Sequence, residues 1–164
     1  MERIAKFEKI SLKQFTTDCK MTEAETIYAE IKLPKRATSG SAGYDFFAPF
    51  DIELKAGETA KIPTGIRAWI KNGWFLGLFP RSSLGFKFRF QLDNTVGIID
   101  SDYYFSDNEG HIFAKITNDS REGKTLKIPA GTGFMQGIFI PFGITEDDEA
   151  DGIRNGGFGS TTKA

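Results

Sequence analysis

Histidine and cysteine are almost missing from this chain of 164 residues, which holds only His111 and Cys19. A lone cysteine excludes an internal disulfide and any multi-cysteine zinc site, and it suits a reducing compartment. A lone histidine excludes His-rich zinc or iron centres within one chain, so a metal used here is expected to be a hard cation on oxygen. An excess of one charge is lacking too: 21 basic and 22 acidic side chains leave a formal net charge of −1. No broad cationic field is available to hold nucleic acid, and no direct nucleic-acid binding is expected. Long apolar runs are absent. The longest uncharged stretch, Ile128 to Thr145, spans 18 residues but carries four glycines and two prolines, which excludes a smooth membrane-spanning helix. The opening MERIAKFEKISLKQF has no apolar segment ending in small residues, so a cytoplasmic location is the expectation.

What is abundant describes the fold. Sixteen Phe, 18 Gly and 6 Pro suit short strands joined by tight turns, and the length suits one domain with its own core. An all-β domain is expected, with one short N-terminal helix. That helix follows Ser11 as N-cap, with Leu12, Phe15 and Cys19 at helical spacing. Strand signals start at Ile27: TIYAEIKL alternates up to Pro34, and YDFFAPFDIEL runs into a turn at Gly57. RAWI and WFLGLF flank Lys71-Asn72-Gly73, which reads as a hairpin. Ile112, Ala114 and Ile116 alternate with Phe113, Lys115 and Thr117, and Thr125 to Ile128 and Gly137 to Phe142 read as further strands. About eight to ten short strands suggest a jelly roll or distorted barrel. The expected organisation is an extension over residues 1–26, a β domain over 27–145, and an acidic linker with a glycine-rich arm over 146–164.

Five segments combine polar groups and glycine in ways a sheet core does not need: SAGYD (41–45), PRSSLGFK (80–87), NTVGIIDSDYY (94–104), GFMQG (133–137) and RNGGFGSTT (154–162). In PRSSLGFK a guanidinium and two hydroxyls stand together at a predicted turn, a donor set suited to phosphate or to an ordinary serine-rich turn. Asp100 ends the apolar run Gly97-Ile98-Ile99, where partial burial suits a general base and a turn position suits a capping aspartate. Tyr103 either packs against a sugar or fills core. The tail carries Phe158 among glycines, with Arg154, Ser160, Thr161 and Thr162 nearby, a composition fit to close over a ligand by stacking and phosphate contact. No Walker loop is present, and the glycine spacing at 131–137 is wrong for a dinucleotide fold.

Taken in order, the five segments resemble the five motifs of the homotrimeric dUTP pyrophosphatase (dUTPase) family, bracketing residues 42–162. The resemblance implies a jelly-roll subunit, a threefold trimer with active sites shared between chains, and Mg²⁺-dependent hydrolysis of dUTP to dUMP and pyrophosphate. Such an activity keeps uracil out of DNA and supplies dUMP for thymidylate synthesis. By resemblance Asp100 orients and deprotonates the water that attacks the α-phosphorus, and Tyr103 lies under the deoxyribose. Asn94 with the backbone of Gly97, Ile98 and Ile99 reads the uracil edge. Arg81, Ser82 and Ser83 hold phosphates across an interface, assisted by Gln136. Arg154, Phe158, Gly159, Ser160 and Thr161 form the closing arm, and Asp45 helps arrange hydrated Mg²⁺. The segment Tyr104 to Gly110 is longer than is common in the family, and Met135 stands where alanine is common. The arginine lies two positions before the glycine pair rather than three, and Thr162 replaces a usual glycine. The nearest rival is dCTP deaminase, of related fold, which needs a glutamate base that this region does not offer. A third reading adds binding of a regulatory protein, as in phage proteins of this type.

Overall fold

The computed structural model describes residues 2–154. It is mostly β, with twelve strands, three α-helices and one 3-10 helix among the described residues. The chain opens with β1 (Ala5–Lys9), which pairs antiparallel with β6 (Ile66–Ile70), Phe7 standing opposite Ala68. Helix α1 (Leu12–Asp18) starts where expected: the Ser11 hydroxyl accepts from the Gln14 N–H at 3.1 Å. Phe15 and Cys19 are buried at their helical spacing, whereas Leu12 is 40% exposed.

The strand expected over TIYAEIKL is instead helix α2 (Ala24–Glu30). Ala24, Ile27, Tyr28 and Ile31 follow an i, i+3, i+4, i+7 pattern, and these four side chains are the ones set into the core. Alternation over a few residues and helical periodicity coincide there, and alanine and glutamate favour the helix. The Tyr28 hydroxyl donates to the Ile10 carbonyl at 2.7 Å, tying α2 to the chain between β1 and α1.

Next come β2 (Lys35–Arg36), β3 (Tyr44–Phe47), β4 (Ile52–Leu54) and β5 (Thr59–Pro63). After β6 the chain passes through β7 (Trp74–Pro80), helix α3 (Ser82–Phe88), β8 (Phe90–Leu92) and β9 (Gly97–Ile99). The 3-10 helix Ser101–Phe105 precedes β10 (Phe113–Asn118), β11 (Leu126–Ile128) and β12 (Gly133–Pro141). The largest sheet has the order β2-β3-β12-β7-β9, a second is β5-β10-β8, and β11-β4 and β1-β6 form two-stranded pieces. Phe15, Phe46, Phe90 and Phe134 lie fully buried among Ile and Leu side chains in the core, whereas Phe86 and Phe105 are exposed.

The expected hairpin at Asn72-Gly73 is a turn of another kind. The Trp74 N–H donates to the Lys71 carbonyl, and Gly73 has φ +84 while Asn72 does not enter the left-handed region. One positive φ at the third position makes a type II turn, which splays its flanking strands where a type I′ turn would pair them. Accordingly β6 joins β1, and β7 joins β12 and β9. The segment after Pro80, expected as a turn, begins α3: Leu84 and Phe88, one helical turn apart, both pack on the core.

Candidate active site

Strand β9 is the last strand of the five-stranded sheet, with Gly97 opposite Leu78 and Ile99 opposite Leu76. Gly97 and Ile99 are buried, while Ile98 between them is 53% exposed, the alternation of a strand with one covered face. Ahead of it Thr95 sits at φ 67, its N–H bonded to the Leu92 carbonyl at 2.8 Å. A β-branched residue rarely adopts that conformation, so the loop holding Asn94 is a strained one.

A cavity of about 530 Å³ opens beside β9, lined by Asn94, Gly97 to Ile99, Asp100, Tyr103 and Arg154. One end of the candidate constellation is therefore gathered in a single place. Asp100 stands between β9 and the 3-10 helix with extended backbone, φ −77 and ψ 158, and makes no side-chain cap bond. Its side chain is 43% exposed, and the Arg154 guanidinium is hydrogen-bonded against its Oδ2. The same guanidinium donates from Nε to Asp102 Oδ1 at 2.8 Å. Asp100 is thus half-buried, as the end of an apolar run suggested, but with a cation against it at the cavity mouth. Tyr103 is buried, its hydroxyl donating to the His111 carbonyl at 2.7 Å and accepting from Asn108 Nδ2 at 2.8 Å. Burial pushes its phenol pKa up, against the Asn108 hydrogen bond that lowers it.

The remaining described candidates meet elsewhere. Arg81 donates from Nη1 to the Gly133 carbonyl at 3.1 Å and sets Nε 3.4 Å from Asp45 Oδ1. Gln136, paired across the strands with Asp45, donates to the Pro80 carbonyl at 3.3 Å. Ser82 and Ser83 are exposed at the start of α3. Asp45, Arg81 and Gln136 form a second polar cluster, and none of the five lines the cavity beside β9. Phe158, Gly159, Ser160 and Thr161 lie outside the described residues.

Sequence reasoning passed over two groups. Asp93 and Lys115 also line the cavity and are paired at 3.1 Å, with the Thr117 hydroxyl donating to Asp93 at 2.5 Å. Asp93, in the turn after β8, and Lys115, on β10, carried no motif signal. The partners of Tyr103 are Asn108, in the lengthened segment that the sequence marked only as a departure, and His111, which directly follows that segment. Among the described residues no group of three or more His, Cys, Asp or Glu side chains could hold a metal, and no helix is long and apolar enough to cross a membrane.

The profile of the dUTPase family matches residues 29–162. The deoxyuridine 5′-triphosphate nucleotidohydrolase of Lactococcus lactis subsp. lactis is 43% identical over 136 residues, covering 81% of this chain and 89% of the relative. That of Escherichia coli O9:H4 is 38% identical over 138 residues, covering 79% and 87%. Among solved structures, the dUTPase from Streptococcus mutans superposes with a TM-score of 0.65 at 38% identity, over 85% of this chain and 98% of that one. A Staphylococcus bacteriophage 80alpha dUTPase reaches 0.66 at 17% identity, over 94% and 100%, a likeness of fold. With the five motifs in order and relatives that match over most of their length, the chain belongs to the dUTPase family.

Proposed function

We propose that the chain hydrolyses dUTP to dUMP and pyrophosphate, with Asp100 as the base that orients and deprotonates the attacking water. The observation that carries this is the single cavity holding Asn94, the edge of β9, Tyr103 and the Asp100 carboxylate. Because β9 ends its sheet, one side of its backbone stands outside the ladder. N–H and C=O groups there, with the Asn94 amide, suit the donor and acceptor edge of a pyrimidine. In this reading uracil enters beside Gly97, and the ring of Tyr103 forms the wall under the deoxyribose. The α-phosphorus then comes to the cavity mouth. The water's proton passes to an Asp100 oxygen as its oxygen bonds to phosphorus, and the bond to the pyrophosphate oxygen breaks. Positioning and charge neutralisation carry most of such an acceleration, and a positioned base contributes about 10²–10⁴-fold.

The separation of Arg81, Ser82, Ser83 and Gln136 from this cavity supports a shared site. In a homotrimer these groups meet phosphates bound mainly by a neighbouring copy, and a triphosphate draws Arg154 away from Asp100 and Asp102 by offering a stronger anionic partner. Phe158, Gly159, Ser160 and Thr161 complete the arm that closes over the nucleotide. Bound with the substrate's phosphates, Mg²⁺ would supply charge neutralisation, and Asp45 is the residue that would help hold it through water; hard oxygen donors fit this role. Incubation with dUTP, dCTP and dTTP, following pyrophosphate and ammonia separately, tests the reading. Pyrophosphate from dUTP alone is expected, and ammonia from dCTP overturns it in favour of deamination.

A further inference from the structure

Two parts of the chain stand apart from the motif segments: the N-terminal stretch through α1, and Tyr104 to Gly110. The structure ties them together and ends both on one phenol oxygen. The proton of the Tyr103 hydroxyl goes to the His111 carbonyl, which can only accept. The oxygen's lone pair therefore needs a donor, and this fixes the orientation of the Asn108 amide with its NH₂ toward Tyr103 at 2.8 Å.

The His111 carbonyl is itself held in place. The Gly65 N–H donates to Nε2 of His111 at 2.9 Å, so that nitrogen carries the lone pair and Nδ1 carries the proton. Nδ1 donates in turn to Asp18 Oδ2 at 2.6 Å, at the end of α1. The ring lies against Phe113, centroids 4.2 Å apart, and the next N–H, of Ile112, joins the Ile66 carbonyl at 2.9 Å. Asn108 is held through its neighbour: the Glu109 carboxylate accepts from the Ser11 N–H at 2.7 Å and from the Ser11 hydroxyl at 2.6 Å. Glu109 and Gly110 are both left-handed, with φ 59 and 70, and a Cβ at Gly110 would stand 2.8 Å from the Tyr103 carbonyl oxygen. The loop thus closes tightly back onto the residue it supports.

We infer that α1 and the 104–110 segment form one positioning device for Tyr103, in which Asn108 and the Asp18–His111 pair set selectivity for deoxyribose over ribose nucleotides. The inference rests on the reading of Tyr103 as the wall beneath the sugar. Steric rejection of a single added hydroxyl works only while the wall cannot move, and a pocket of ordinary softness rejects such an isostere weakly. Anchoring the phenol oxygen at two points, donor and acceptor, removes the ring's freedom to yield to a 2′-oxygen. Asn108, Asp18 and His111 touch no nucleotide in this account and act through Tyr103.

The test is the ratio of kcat/KM for dUTP to that for UTP, measured by pyrophosphate release. Asn108→Ala is expected to lower the ratio about tenfold, chiefly through a lower KM for UTP. Tyr103→Phe, which keeps the ring and removes both anchoring hydrogen bonds, is expected to lower it at least as far, and the double variant to fall no further than Tyr103→Phe, because the bond from Asn108 is already lost with the hydroxyl. Asp18→Ala lowers the ratio, while Asp18→Asn, which still offers an oxygen to Nδ1–H, retains it. A merely structural role for these residues changes thermal stability and leaves the ratio where it was. An unchanged ratio in Asn108→Ala or Tyr103→Phe, or losses that add independently, overturns the inference while wild-type turnover stands. Absence of pyrophosphate from the wild-type protein with dUTP overturns the reading of the site, and the inference with it.

Discussion

The guanidinium of Arg154 is hydrogen-bonded to the Asp100 carboxylate and reaches Asp102 as well. In the proposed reaction that carboxylate takes the proton of the attacking water, so the cation must leave it when nucleotide arrives, and the phosphates are the natural destination.

Arg154→Ala is therefore expected to raise KM for dUTP by about tenfold or more, the usual scale for one charge-assisted hydrogen bond. Both carboxylates are well exposed, at 43% and 54% of their side-chain surface, so the pair adds little to stability. Tm is expected to move by no more than about 4 °C. Steady-state kinetics beside a thermal melt checks both, and an unchanged KM removes Arg154 from phosphate binding.

Stability is expected to depend on pH through His111. Burial pushes its pKa below the ordinary 6.5, although Asp18 and Glu109 pull it up and Lys61 adds to the lowering. The folded chain leaves the imidazole neutral where the unfolded chain takes up a proton, so this contribution is whole above 6.5 and is lost as pH falls through the depressed folded value. Melting curves between about pH 8 and 5 are expected to show Tm falling on the acid side, with a shallower fall in His111→Gln. Equal slopes in the two proteins contradict this assignment.

Thr95 pays a backbone cost at φ 67 that asparagine tolerates better. Thr95→Asn is expected to stabilise the chain by about 1 kcal/mol, read from denaturant midpoints at constant m. Loss of stability indicates that the threonine side chain makes a contact worth more than the strain.

Gly110→Ala is expected to destabilise by at least about 1 kcal/mol, since the position combines φ 70 with backbone atoms 2.8 Å from a new Cβ. A midpoint matching the wild type shows that the 104–110 segment relaxes at no cost.

The cavity half of the site was legible in sequence because its residues are contiguous: Asn94 to Tyr103 is one loop, one strand and one helical turn, and local order carries it into one place. The Tyr103 anchor was not, because Asp18 and His111 are 93 positions apart and nothing local announces their meeting. Thr26 to Leu33 satisfies both periods, and helix α2 is decided by alanine and glutamate propensity together with packing of Tyr28 against Phe15, centroids 5.7 Å apart. At Asn72-Gly73 the turn itself was legible; whether it would pair or splay its strands depended on the φ of Asn72, which no residue type dictates. In the second cluster Arg81 was legible from the donor set it shares with Ser82 and Ser83, whereas Asp45 and Gln136 came only from the resemblance, and the separation of the cluster from the cavity is a property of the sheet order.

The role of Asp100 is tested most directly by Asp100→Asn, which keeps the shape of the side chain and removes its basicity. Pyrophosphate release from saturating dUTP is expected to fall at least about 100-fold while calorimetry still shows nucleotide binding. Turnover near that of the wild type contradicts the account.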